Sequence, residues 1–167
     1  MPTLVKRIAT QIGNINVQNG ITIGAVTTPP TKGVMARDFL YWYRDGSHAV
    51  ITYQFFQSAT TGAAAGNGQY LYSLPAGLVA DTNVVPIFTG PALNQAKPSL
   101  LGQGEISSAS GPTNGTVAAY LYSSTQFRLY TYTFYTGGDY QSSTFYFLNQ
   151  AAVGIAFTIK VPILGWS

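Results

Sequence analysis

The clearest alternation of apolar and polar positions lies near the end of the chain. Five apolar residues at every second position would share one face of a strand: Val153, Ile155, Phe157, Ile159 and Val161. Four small or polar residues between them would share the other face: Gly154, Ala156, Thr158 and Lys160. This pattern predicts a strand with one buried side, which we expect to close the fold.

The residues after this strand predict how it ends. Pro162 has no amide hydrogen for a sheet partner, so regular pairing should stop there. Gly165 can turn the chain so that Trp166 packs back onto the end of the sheet. We therefore expect Pro162, Gly165 and Trp166 to form a structural motif.

Shorter alternating runs between turn-forming residues predict further strands. They cover residues 39–43, 48–57, 69–74, 116–122, 125–135 and 140–147. Asp45-Gly46 and Ser123-Ser124 should form the turns of two hairpins. Residues 101–110 alternate more weakly and predict an exposed strand. Because no run has a 3.6-residue period, the chain is predicted to be an all-β sandwich.

The first 36 residues differ from the rest and predict a separate N-terminal arm and linker. Asn19-Gly20 between alternating apolar residues predicts a hairpin over residues 15–23, too small to be stable alone. Residues 27–33 contain two prolines and predict an extended linker. The predicted organisation is an arm over residues 1–36 and a β domain over residues 37–167.

The predicted strand at residues 125–135 is apolar or aromatic on both faces. Phe127 and Leu129 would share the core face. Tyr130, Tyr132 and Phe134 would share the opposite face, which needs a partner of its own. We expect these three side chains to form a subunit interface.

Composition narrows the possible partners. Only 8% of the 167 residues are charged, so much of the surface should be uncharged or covered by other subunits. The net charge of +3 lies wholly within residues 1–36, which does not make the basic face that nucleic-acid binding requires. There is no cysteine, no signal peptide and no apolar run long enough to span a membrane. These features favour synthesis in the cytoplasm, followed by assembly.

The residues that could carry chemistry are few. Asp38 and Asp45 flank one predicted strand, but each also suits a turn or an ion pair. His48 stands alone, and Asp139 lacks the additional oxygen ligands that calcium needs. We therefore expect no enzymatic activity, no metal and no cofactor.

Twelve tyrosines leave two interpretations open. Aromatic rings that stack on sugars could form a carbohydrate platform. Tyrosines also fill strand faces and subunit contacts, and their positions within predicted strands favour that second interpretation.

Two segments resemble a known family. Residues 157–167, Phe-Thr-Ile-Lys-Val-Pro-Ile-Leu-Gly-Trp-Ser, resemble the ending of small jelly-roll modules in tailed-phage virion proteins, which occur at fibre tips and in capsid decoration proteins. Residues 68–81, which include Leu-Pro-Ala-Gly-Leu, are similar to a second signature of that family. The resemblance covers about residues 37–167. It implies a jelly-roll of the tumour-necrosis-factor and complement type that assembles as a homotrimer.

From this resemblance we expect a structural protein of the virion, either a capsid decoration (cement) protein or a fibre tip. Only 36 residues precede the β domain, which favours a decoration protein over a fibre tip on a long shaft. Six arm residues combine apolar and basic character and should anchor the protein on the major capsid protein or another virion protein: Leu4, Val5, Lys6, Arg7, Ile8 and Ile12. In the alternative, a tail-fibre or head-fibre tip would bind a host-surface glycan through the loops at residues 58–67 and 81–100.

Overall fold

The computed structural model describes residues 14–88, 100–108, 115–132, 140–142 and 151–166. Within those ranges the chain forms ten β-strands and no helix. The strands are β1 (Asn16–Asn19), β2 (Ile23–Ala25), β3 (Val34–Asp45), β4 (His48–Ala59), β5 (Tyr70–Ser73), β6 (Leu100–Ser108), β7 (Gly115–Ser123), β8 (Gln126–Tyr132), β9 (Tyr140–Ser142) and β10 (Val153–Pro162). The described ranges accordingly contain no helix that could cross a membrane.

Nine strands follow one another across a single antiparallel sheet. Their order is β1-β3-β4-β10-β6-β7-β8-β5-β2, and β9 pairs with β8 beside this path. The sheet curls: the ring of Tyr53 on β4 lies 5.3 Å from that of Phe127 on β8, although three strands separate β4 from β8 in the sheet. The Tyr53 hydroxyl also donates a 2.8 Å hydrogen bond to the Ser73 carbonyl of β5. The all-β class predicted from the sequence is confirmed in the form of this curled sheet.

The predicted closing strand, β10, lies in the middle of the sheet between β4 and β6. Its five alternating apolar residues are all buried, and the four residues between them are not, as the pattern predicted. The strand ends at Pro162, as expected for a residue without an amide hydrogen. Inside the curl, the Phe157 ring of β10 stacks on Tyr53 at 4.6 Å.

The two predicted hairpins are present. β3 and β4 pair from Asp45 and His48 outward, and Gly46 in the turn has a φ of +61°, which glycine adopts without strain. β7 and β8 pair up to Ser123 and Gln126. Both predicted turn sequences therefore lie between paired strands.

The strand predicted at residues 101–110 is present as β6, but only one of its faces is exposed. β6 lies between β10 and β7, and both Leu101 and Ile106 are buried. Its weak pattern comes from Gly102 and Gly104, where a Cβ would collide with the backbone of β10. The backbone of β10 thus leaves no room for a side chain at these two positions, where an alternating pattern would place apolar residues.

The predicted hairpin at residues 15–23 is also wrong. β1 pairs with β3 and β2 pairs with β5, so the two short strands lie at opposite ends of the sheet. Gly20 has a φ of +79° and turns the chain, but its amide donates to the carbonyl of Asp38 on β3. Ile21 and Ile23 are buried in the core. Their burial favours pairing of β1 and β2 with distant strands over a local hairpin.

The described part of the predicted arm belongs to the sheet. The boundary predicted at residue 37 lies inside β3, which begins at Val34. The predicted linker pairs with the loop at residues 58–67 through isolated bridges at Thr28–Asn67 and Thr31–Ala64. Lys32 donates a 2.6 Å hydrogen bond to the Asp38 carboxylate, so one of the three arm cations is part of an ion pair.

Candidate functional site

The two segments that resemble phage virion proteins meet in the structure. Ala80 forms an antiparallel bridge with Ile163. The amide of Asp81 donates to the Pro162 carbonyl at 2.9 Å, and the amide of Leu164 donates to the Val79 carbonyl at 2.8 Å. Residues more than 80 positions apart in sequence thus form one junction beside the end of β10.

Trp166 packs beside this junction. Gly165, with a φ of +82°, turns the chain so that the Trp166 ring centre lies 6.1 Å from that of Trp42. The Arg44 guanidinium lies 5.0 Å from the Trp166 ring on the same side of the fold. Trp166 is half-buried and packs against the core.

The predicted subunit interface is only partly within the described residues. Phe134 lies outside them, and for Tyr132 only the backbone pairing in β8 is described. Tyr130 is 2% exposed within the single chain, so its predicted role as an interface side chain is not supported. Phe88 covers it, and together with Ala118 and Tyr120 these residues form a second hydrophobic cluster on the outer face of β7 and β8.

Arg128 holds this second cluster in place. Its Nη1 donates to the Gln69 side chain at 2.7 Å, and its Nη2 donates to the Phe88 carbonyl at 2.6 Å. The guanidinium also lies 5.2 Å from the Tyr130 ring centre. Burial raises the pKa of the Tyr130 hydroxyl, and the nearby Arg128 charge partly offsets that effect.

The predicted capsid anchor, Leu4, Val5, Lys6, Arg7, Ile8 and Ile12, lies outside the described residues. The chain that follows it forms β1, which is an end strand of the sheet and pairs only with β3 among the described strands. Ile15 is 69% exposed and Val17 is 67% exposed. The first described residues therefore present an open strand edge with two exposed apolar side chains.

The carboxylates weighed as catalytic candidates have structural contacts. Asp38 accepts from Lys32 and from the backbone amide of Ile21 at 2.8 Å. Asp45 accepts from Lys160 at 2.8 Å, and this hydrogen bond and the Lys160 charge hold the pKa of that carboxyl below its usual value. The His48 imidazole lies 3.1 Å from the Ser47 hydroxyl. Asp139 lies outside the described residues, which contain no cluster of metal-binding side chains.

A groove that the sequence did not predict crosses the outer face of β3, β4, β10 and β6. Its volume is about 610 Å³. Gly154 and Ala156 form its floor on β10. Side chains of the flanking strands form its walls: Gln54 and Phe56 on β4, with Arg37 of β3 beyond them, and Glu105 and Ser107 on β6. A Cβ on Gly154 would lie 3.4 Å both from the Phe56 ring and from the Ser107 hydroxyl, so the groove is narrow at this point.

The sequence contains one signal for this groove. Gly154 and Ala156 are consecutive outward positions with almost no side chain, which leaves a depression if the adjacent strands carry larger residues. Which strands are adjacent could not be read from the sequence, because β6 is paired with β10 across 44 intervening residues.

No protein-family model matches this chain, and no curated protein or solved structure shows significant similarity to it.

Proposed function

We propose that this chain is a structural protein of a tailed-phage virion, a trimeric jelly-roll decoration or cement protein that docks on the capsid through its N-terminal arm. The resemblance is the starting point for this proposal. It gains support from the junction of the two resembling segments, because Ala80 and Ile163 are paired although the segments were recognised separately. Two motifs that form one structural unit are more informative than two isolated matches.

The observation that carries the docking role is the open edge of β1. Backbone groups on an end strand are free to pair with another chain, and natural proteins usually protect such edges with charge, proline or a covering segment. Here the edge carries exposed Ile15 and Val17 and no charged residue within Asn16–Asn19. It also follows the apolar and basic arm directly in sequence, and both would add as a strand to a shell protein.

Trimeric assembly is proposed from the resemblance and from the low charge of the chain. With only 8% charged residues, a single copy has little charge to oppose self-association. The aromatic face of β8 is not part of this argument, because Tyr130 is covered by Phe88 of the same chain.

The test is binding to capsids of the encoding phage prepared without this protein, measured by co-sedimentation. A full-length variant with Leu4, Val5, Ile8 and Ile12 replaced by serine should lose binding. A control replaces Val84 and Leu164 by serine, which are exposed apolar residues outside the arm and β1, and it should bind like the original chain. Equal binding by both variants would refute docking through the arm. Glycan binding without capsid binding by the original chain would favour the fibre-tip alternative.

A further inference from the structure

The groove over β10 has a regular construction. Because paired residues on neighbouring strands point to the same side, Arg37, Phe56, Gly154 and Ser107 form one row across the sheet. Gln54, Ala156 and Glu105 form the next row. In both rows the β10 residue is the smallest, so the depression runs along β10 between two higher walls.

The polar groups around this groove have no partners among the described residues. The side chains of Gln54, Arg37 and Glu105 form no hydrogen bond or ion pair with any residue in the described ranges. Arg37 and Glu105 are separated by β4 and β10, and three strand spacings together with the offset of one row place them about 16 Å apart. They are therefore too far apart to neutralise each other directly, and both remain available to a bound molecule.

These lining groups define the chemistry of a ligand. The two opposite charges sum to zero, which disfavours a strongly anionic or cationic ligand. The carboxylate, amide, hydroxyl and guanidinium offer several hydrogen-bond acceptors and donors, whereas Phe56 offers one partly exposed aromatic ring. The volume of about 610 Å³ lies in the range of about 300 to 1,000 Å³ typical of small-ligand sites.

We infer that this groove binds a short neutral oligosaccharide. A sugar ring has an apolar face that can stack on Phe56 and a rim of hydroxyls that can bond to Gln54, Glu105 and Ser107. Arg37 lies on β3, beyond Phe56, where it can donate to a further sugar unit that extends over the β4 wall. This site is distinct from the loops expected to contact glycans, and its existence does not depend on where the protein lies in the virion.

The test uses the full-length chain on an array of immobilised oligosaccharides that includes bacterial surface-polysaccharide repeat units. The inferred site requires binding to at least one neutral glycan. Ala156→Ile fills the floor of the groove, and because isoleucine suits an exposed strand position, the fold should be retained. This variant, Glu105→Gln and Phe56→Ala should each weaken binding about tenfold or more, the loss expected when a charged hydrogen bond or an aromatic contact is removed.

Two matched variants control for effects on the sheet face. Gln103→Ile adds the same side chain on the neighbouring strand, and Tyr43→Ala removes a half-buried aromatic ring from β3 two rows away from Gln54, both outside the groove lining. Both should bind like the original chain. Absence of any bound neutral glycan, or unchanged binding by Ala156→Ile, would overturn the inference. Loss of self-association in Ala156→Ile, measured by sedimentation velocity, would also overturn it, because the groove would then be covered by another copy.

Discussion

Arg128 donates a 2.6 Å hydrogen bond from Nη2 to the carbonyl oxygen of Phe88, and its guanidinium also lies 5.1 Å from the centre of the Phe88 ring. These contacts join β8 to a segment 40 positions earlier in the chain. They hold Phe88 over Tyr130, and they explain why this side chain of β8 is covered within one chain.

Replacing Arg128 by methionine should therefore destabilise the protein. The variant keeps much of the apolar stem but removes the donor, which leaves the buried Phe88 carbonyl without this bond. The expected loss is about 1 to 3 kcal/mol in the free energy of unfolding, measured by urea denaturation. Arg44→Met is the control, because it also removes an arginine that lies over an aromatic ring, but from a half-buried site. If both variants lose the same stability, the Arg128–Phe88 contact has no special role.

A second prediction concerns alkaline pH. Burial raises the pKa of the Tyr53 and Tyr72 hydroxyls well above the ordinary value of about 10. As the pH rises, these hydroxyls therefore lose their protons in the unfolded chain before they lose them in the folded chain. The stability that the folded chain gains from them is complete below the ordinary tyrosine pKa, and it is lost as the pH rises above that value. The free energy of unfolding should fall by about 1.4 kcal/mol per pH unit for each of these tyrosines.

Denaturation curves at a series of pH values above 10 test this prediction. Tyr72→Phe removes one of the two ionisable groups, so its stability should fall less steeply with pH than that of the original chain. A Tyr72→Phe slope equal to the original one would show that Tyr72 ionises equally in both states.

Much of the fold could be predicted because many strands alternate cleanly. β10, β4 and the two hairpins follow from apolar residues at every second position and from Asp45-Gly46 and Ser123-Ser124 in the turns. β6 could not be recognised as central, because Gly102 and Gly104 replace apolar residues where the chain touches β10. Asn19-Gly20 predicted a local hairpin, but burial of Ile21 in the core favours pairing of β1 with β3 instead.

The candidate site was less predictable for a related reason. The groove depends on which strands flank β10, and the pairing of β6 with β10 is long-range. Tyr130 could not be recognised as covered, because Phe88 belongs to the region expected to be a surface loop.

The close approach of β6 and β10 gives a third prediction. Gly104→Ala would place a Cβ against the Ala156 carbonyl and the Phe157 Cβ, so one strand must shift. We expect a loss of about 1 to 3 kcal/mol in the free energy of unfolding, the range for overpacking a core. Gly24→Ala is the control, because its Cβ would come no nearer than 3.9 Å to a neighbouring atom. A thermal melt of Gly104→Ala that matches the control would show that β6 does not lie this close to β10.

The proposed function requires three copies of this chain to dock together on a capsid through their N-terminal arms. Cryo-electron microscopy of undecorated capsids of the encoding phage, incubated with the full-length protein, tests this docking directly. Added density for three copies is expected around a threefold or local threefold position of the shell, with the β1 edge and the arm of each copy against the capsid protein. Bare capsids at saturating protein, or bound copies that contact the shell through another face while the arm points into solvent, would contradict it.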